Sequence, residues 1–157
     1  MGIELKQLRK SKKITQVEAA SFLEVPYRTY QSYEEDPKKQ NSIKYKYMID
    51  KLSKYGVITE NFGVYKIDSI KAISKPILKD YETDFAFIAG EYAKNKAKGS
   101  STITIIISTK ASGLRFFKLS NDLKEALKKR INLVSVSNLK NDEKLLIETL
   151  LYGVRIF

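Results

Sequence analysis

The residues best equipped for chemistry sit close together, in the segment YRTYQS at positions 27–32. At helical spacing Tyr27, Arg28, Gln31 and Ser32 point outward, and all four carry hydrogen-bond donors. Val25, Tyr30 and Tyr33 take the inward side. Standing alone, such a donor-rich face is the solvated side of a surface helix; inside the right motif it reads a polar partner. Composition closes off other chemistry. The 157 residues include no cysteine and no histidine, which removes disulfides, thiolate metal sites, a cysteine nucleophile, and the commonest general base and metal ligand. Metal chemistry would then rest on carboxylates. Asp80, Glu82 and Asp84 form one acidic group, but it precedes an apolar run with no second carboxylate constellation and reads as a solvated turn. No resident metal or cofactor is expected.

The elements that position this face run through ITQVEAASFLEVPYRTYQSYE, residues 14–34. Thr15 is a good N-cap type for a helix whose Val17, Ala20 and Leu23 turn toward a core, with small Ala19 and Ala20 allowing close packing. The chain turns at Glu24 and Val25. Pro26 suits the entry to the next helix, because its φ is already helical and its missing N–H has no partner to lose. Upstream, Ile3, Leu5 and Leu8 make the apolar stripe of a first helix, with the lysines and Arg9 outside; Lys10, Lys12 and Lys13 at its end suit the helix dipole and are placed to reach phosphates. Residues 35–41 are a polar loop containing Pro37, after which Ser42 caps a helix carrying Tyr45, Met48, Ile49 and Leu52 inward.

On these residues the segment LKQLRKSKKITQVEAASFLEVPYRTYQSYEED resembles the lambda-repressor/Cro-like, or Xre-type, helix-turn-helix domain over roughly residues 3–52. The Thr15-Gln16 pair, Ala19, Val25 and the Tyr33-Glu34 close carry the resemblance; Glu24 and Pro26 depart from the family's usual glycine and small polar residue. The resemblance implies that the second helix enters a major groove. Carried over by position, Tyr27, Arg28, Gln31 and Ser32 contact base edges, with Gln16 and Thr29 on phosphates. Arg28 suits guanine through two bonds, and Gln31 suits adenine.

A net charge of +11, with a sequence pI near 9.6, favours an anionic partner, nucleic acid first. Residues 1–60 hold 12 basic and 8 acidic residues, or +4, and residues 61–157 hold 17 and 10, or +7, so charge does not say which half makes the contact. No run of about 18 apolar residues appears, and MGIELKQLRKSKK lacks a signal peptide's apolar core. A cytoplasmic protein without membrane association is expected.

The overall expectation is α+β in two domains: an all-α helix-turn-helix bundle at 1–53, a linker or short hairpin at 54–67, and a small α/β domain at 68–157. In the last, Asp68 or Ser69 caps a helix through about Lys79 with Pro76 as a kink or break; strands follow at 84–89, 102–108 and 131–136, and helices at 114–128 and 141–152. Phe116 and Phe117 are assigned to the core. Tyr45, Tyr47, Tyr55 and Tyr65 are candidates for a dimer surface.

The run IAGEYAKNKAKGSSTITIII, then GLRFFKLSNDLKEAL, INLVSVSNL and LLIETLLYGVRIF, resembles a minimal nucleotidyltransferase domain of the DNA-polymerase-beta-like superfamily, over about residues 68–157. That family places Gly-Ser after the first strand, two aspartates alternating along the second, and a third aspartate in the third strand, which together hold Mg²⁺ against a triphosphate. Here Gly90 is kept, but Glu91, Lys94 and Asn95 stand at the serine, arginine and second glycine positions. Thr102, Thr104 and Asn132 stand at the aspartate positions. The resemblance therefore implies a degenerate, catalytically inactive site. Lys94, Lys96 and Lys98 read as a solvated loop, with phosphate binding as the functional alternative.

Together these readings point to a DNA-binding regulator, a homodimer on double-stranded DNA, whose inactive second domain mediates dimerisation or grips a toxin or other protein partner, as an autoregulating antitoxin does. The alternative is a nucleotidyltransferase or nucleotide sensor with relocated ligands, which requires Asp68, Asp84 or Asp142 to meet Glu91 near Gly90.

Overall fold

The structure is a computed structural model that describes residues 4–157; the expected inward position of Ile3 lies outside them. The described residues form an α+β protein with nine α-helices and one four-stranded mixed sheet. They divide into two compact units, one ending at Val57 and one spanning Ile58–Phe157.

The described part of the first unit is helical throughout: α1 (Leu5–Ser11), α2 (Gln16–Leu23), α3 (Tyr27–Glu35) and α4 (Ile43–Ser53), with a single 3-10 turn at Pro37–Lys39 inside the expected loop. Caps explain the boundaries. Thr15 Oγ1 accepts from the Glu18 amide at 3.2 Å while the Glu18 carboxylate accepts from the Thr15 amide at 2.7 Å, a reciprocal capping box. Helix α2 stops where Glu24 turns left-handed, φ +58°, and the Val25 amide closes onto the Ala20 carbonyl at 3.0 Å. Pro26 is the residue flanking α3 rather than its first turn. Ser42 Oγ accepts from the Tyr45 amide at 3.1 Å and opens α4.

Leu5, Leu23, Tyr30, Met48 and Leu52 make the centre of this unit's core. Tyr45 is buried too, and its hydroxyl accepts from the Leu5 amide at 2.9 Å, satisfying one of the free donors at the start of α1. It therefore leaves the set of surface tyrosines. Val17, expected inside, is 62 % exposed; Ala19, at 0 %, takes the inward place. The buried face of α2 is Ala19, Ala20 and Leu23, and Val17, two positions from Ala19, projects from the other side of the helix.

The second unit runs α5 (Ile67–Asp80), β1 (Thr83–Ala89), α6 (Gly90–Ala93), β2 (Ile103–Thr109), α7 (Gly113–Leu127), β3 (Ile131–Ser135), α8 (Val136–Leu139), α9 (Glu143–Tyr152) and β4 (Val154–Arg155). The sheet order is β3-β2-β1-β4, parallel between β2 and β3 and antiparallel elsewhere. Ile103, Ile105 and Ile107 face one core with Leu78, Leu119 and Leu123; Ile106 and Ala89 face a second with Leu139. A strand covered on both faces explains why TITIIIS is apolar or β-branched at every position but one.

Several expectations change. Asp68 lies within the first turn of α5 and Lys66 flanks it, so neither Asp68 nor Ser69 is the cap. Pro76 lies inside α5 without ending it. Residues 59–62 carry one isolated bridge, Thr59 to Phe62, and no strand. Phe117 is 64 % exposed, whereas Phe116 packs against the core. Strand β4 and helix α8 were not anticipated.

Candidate functional site

Helix α3 owes its placement to a buried polar brace. Arg9 grips Glu34 with two parallel bonds, Nε to Oε2 at 2.9 Å and Nη2 to Oε1 at 2.8 Å, and its third nitrogen donates to the Ile14 carbonyl at 2.9 Å. Gln16 Nε2 donates to Glu34 Oε1 at 3.1 Å, and Tyr27 donates its hydroxyl proton to Gln16 Oε1 at 3.1 Å. One carboxylate thus ties α1, α2 and α3 together. The Glu34 side chain is fully covered and that of Arg9 is 14 % exposed. Burial works to raise the Glu34 pKa, but the donors around it, Arg9 first, outweigh burial and hold it below the ordinary glutamate value. Burial and then the neighbouring carboxylate push the Tyr30 hydroxyl far up, so that it stays protonated.

The six residues singled out in the sequence are disposed unevenly. Arg28 is exposed and makes no hydrogen bond or ion pair among the described residues. Tyr27 is 43 % exposed and is aimed by Gln16. A glutamine carries two N–H donors, and the second donor of Gln16 is left after Glu34 takes the first. Gln31 is half-buried and donates to Glu35 at 3.2 Å. Ser32 is half-buried and accepts from Lys39, so its hydroxyl oxygen is engaged within the unit. Thr29 is half-buried beside them. The open edge of this face is therefore Tyr27, Arg28 and the free amide of Gln16. Sequence reading placed Arg9 outside; it is instead the partner of Glu34, 25 positions away, and no local periodicity signals that pairing.

In the second unit a row crosses three strands at the end of the sheet where β1 runs into α6. Ala89 is opposite Thr104, and Thr104 is opposite Asn132. Gly90 follows with φ +70°, and a side chain built there would meet Thr104 Oγ1 at 3.6 Å, so the Thr104 hydroxyl faces the glycine. Gly90, Thr104 and Asn132 are thus brought together, and all are neutral. Thr102 is exposed and lies just before β2. Glu91 accepts from the Ser101 hydroxyl. Lys94 turns to α9, where it pairs with Glu148 at 2.8 Å and lies 5.6 Å over the Tyr152 ring. That lysine's hydrogen bond holds the Glu148 pKa low.

Three other carboxylates are committed elsewhere, and Asp68 lies in the first turn of α5. Asp84 sits toward the opposite end of β1 and accepts from Ser108 at 3.1 Å; Asp142 caps α9 through the Leu145 amide at 3.0 Å; Glu82 pairs with Arg115 at 3.2 Å. Among the described residues, no three acidic side chains gather into a metal-binding group.

Lys129 escaped sequence reading altogether. It is fully buried, and its ammonium donates to the carbonyls of Phe62 at 3.0 Å and Gly99 at 2.5 Å. Burial first, then the Arg130 charge, pulls its pKa down. The turn at 59–62 and the loop before β2 are locked together here: a side chain at Gly99 would meet the Asn61 carbonyl oxygen at 2.9 Å.

No family model matches the sequence, and no curated protein matches it. Two solved structures show a partial likeness to the chain. One is a crystal structure of a toxin-antitoxin with AMP-PNP, 17 % identical, covering 55 % of this chain and 72 % of that chain at a TM-score of 0.47. The other is a mutant of the toxin-antitoxin MntA-HpeT, 16 % identical, covering 55 % and 71 % at a TM-score of 0.42. The chemistry of the site rests on this chain's own residues. Among the described residues, no helix is long and apolar enough to cross a membrane.

Proposed function

We propose that the chain is a sequence-specific DNA-binding regulator whose residues 1–53 act as a helix-turn-helix reader. The observation that carries this is the outer edge of α3: an exposed, unpaired Arg28 beside Tyr27, on a helix held in place by the Arg9–Glu34–Gln16 brace. Preorganising a charged donor face costs desolvation of an ion pair, and a partner that accepts hydrogen bonds in a fixed geometry is the chemistry that uses it. A total charge of +11 supports a polyanionic partner.

The second unit, in this reading, is a nucleotidyltransferase-like domain that performs no transfer at the Gly90 edge. Support comes from residue types: Thr102 and Thr104 at the paired aspartate positions and Asn132 at the third are neutral where acidic residues are needed to hold divalent metal, and Glu91 and Lys94 are committed to Ser101 and Glu148. The more specific form is an antitoxin-like autoregulator, working as a homodimer in the cytoplasm and gripping a toxin or other protein partner. Its support is the pattern resemblance of the second unit alone.

The test is a gel shift on the chain's own upstream DNA at two salt concentrations, with Arg28→Ala and Gln31→Ala beside the wild type. We expect salt-sensitive binding that Arg28→Ala weakens by roughly 10- to 100-fold, the worth of a bidentate base contact. Binding that ignores both substitutions and salt sinks the proposal.

A further inference from the structure

The outer face of α9 carries an apolar stripe that no other element of the second unit covers. Ile147, Leu150 and Leu151 are 49 %, 77 % and 67 % exposed, at the i, i+3, i+4 spacing that forms one ridge of a helix, while Leu145 and Leu146 on the other side pack against the sheet. We infer that this ridge is the contact through which two copies of the chain pair by a two-fold axis, α9 against α9.

Charge favours a second copy over a polyanion or an acidic partner as the occupant. Two chains at +11 repel overall, so pairing is easiest through a locally neutral surface. The α9 face is neutral: Glu143 and Lys144 offset each other at its start, and the Lys94–Glu148 pair closes its flank. A second exposed apolar pair, Leu114 at 88 % and Phe117 at 64 % on α7, lacks this property, because Lys110 and Lys118 flank it. Area sets how much of the flank must join. The three exposed α9 side chains supply at most about 700 Å² of apolar surface to a symmetric pair, so the stems of Lys144 and Tyr152 beside them have to supply the rest of the roughly 1,000 Å² that a specific interface clears. Two-fold pairing is isologous, so one self-complementary ridge suffices. The choice of a second copy also rests on the regulator reading, in which paired half-sites demand a dimer.

The chain has no cysteine, which gives a clean test. In the full chain, Leu150→Cys should cross-link to itself on mild oxidation, and Leu114→Cys should not. Sedimentation equilibrium should show a wild-type dimer, and Leu150→Glu should raise its dissociation constant at least 100-fold with an unchanged circular dichroism spectrum. A monomeric wild type, a dimer indifferent to Leu150→Glu, or cross-linking through Leu114→Cys in place of Leu150→Cys overturns the inference. If Leu150→Glu does not fold, the cysteine pair decides alone. Gel shift of the wild type is scored separately: a dimer lost on Leu150→Glu, in a chain that never binds DNA, retains the α9 contact and defeats only the regulator reading.

Discussion

Replacing Glu34 by glutamine keeps the side chain's shape and removes its charge, so it isolates what the carboxylate does for the first unit. Two charge-assisted bonds from Arg9 end on Glu34, at 2.8 and 2.9 Å. Each such bond contributes about 1.5–3 kcal/mol, and glutamine's single carbonyl oxygen keeps one of them as a weaker, charged-to-neutral bond. Arg9, 14 % exposed, is left without its counter-charge but retains the Ile14 carbonyl. The net cost is then about 2–3 kcal/mol, a large share of the stability of a unit this small. Hydrogen exchange of the full chain, resolved by peptide, reads it where it acts. Amides of α1 and α3 should exchange roughly 30- to 150-fold faster, since 1.4 kcal/mol is about tenfold. Peptides of α7 and β2 should be unchanged. Glu24→Gln is the control, because its pair with Lys51 leaves Glu24 83 % exposed and contributes almost nothing. The brace also sets a pH dependence. A carboxyl whose folded pKa is depressed contributes stability that is present above its unfolded value, near 4.5, and is lost as pH falls through the folded value. Wild-type protection in α3 should therefore fade below about pH 4.5, and Glu34→Gln should lack that component. An exchange change under threefold at neutral pH refutes the reasoning.

Two further substitutions probe other joints. Glu24 holds a left-handed conformation, φ +58°, that costs a side chain roughly 1 kcal/mol, so Glu24→Gly should stabilise the first unit by about 0.5–1 kcal/mol, seen as slower exchange in α2 and α3. Lys129→Met removes both bonds to the Phe62 and Gly99 carbonyls and leaves two buried acceptors bare; a loss of about 2–4 kcal/mol in the second unit is expected from thermal unfolding, and an unshifted transition would show the tie to be idle.

How far the sequence could be read depends on whether the deciding force is local. Caps are local, so Thr15 and Ser42 mark the starts of α2 and α4. A run of β-branched residues is local, so β2 was legible to within a residue at each end. Of the residues grouped around Gly90 on sequence, Thr104 and Asn132 lie in one row with it, whereas Thr102 lies before β2 and Glu91 and Lys94 turn to Ser101 and Glu148. By contrast, the Arg9–Glu34 brace joins two helices across 25 positions, and a charged residue among the lysines and glutamine of α1 looks solvated until its partner is known. Lys129 is the same case: a buried lysine is the rarest reading of any lysine, and only the carbonyls of Phe62 and Gly99 justify it. Strand β4 has two residues and no periodicity to detect; its pairing with Phe87 and Ile88 defines it. Val17 is expected inside by its spacing and Phe117 by its type; the buried faces of α2 and α7 instead run through Ala19, Ala20 and Leu23 and through Leu119, Leu123 and Leu127.

The late pairing of β4 with β1 governs the order in which the second unit assembles. Strands β1 and β2 are joined by residues 90–102, which include α6, whereas Ile88 meets Val154 only after α6, β2, α7, β3, α8 and α9 have been laid down between them. Loop-closure entropy therefore places the β1–β4 ladder last. Until then β1 is a bare edge strand with Phe85 and Phe87 along it, the kind of template on which chains join intermolecularly. The described part of the first unit is helical and leaves no strand edge open while it forms. The window in which this protein is most exposed to misassembly is the interval between sheet nucleation and the docking of two residues, Val154 and Arg155.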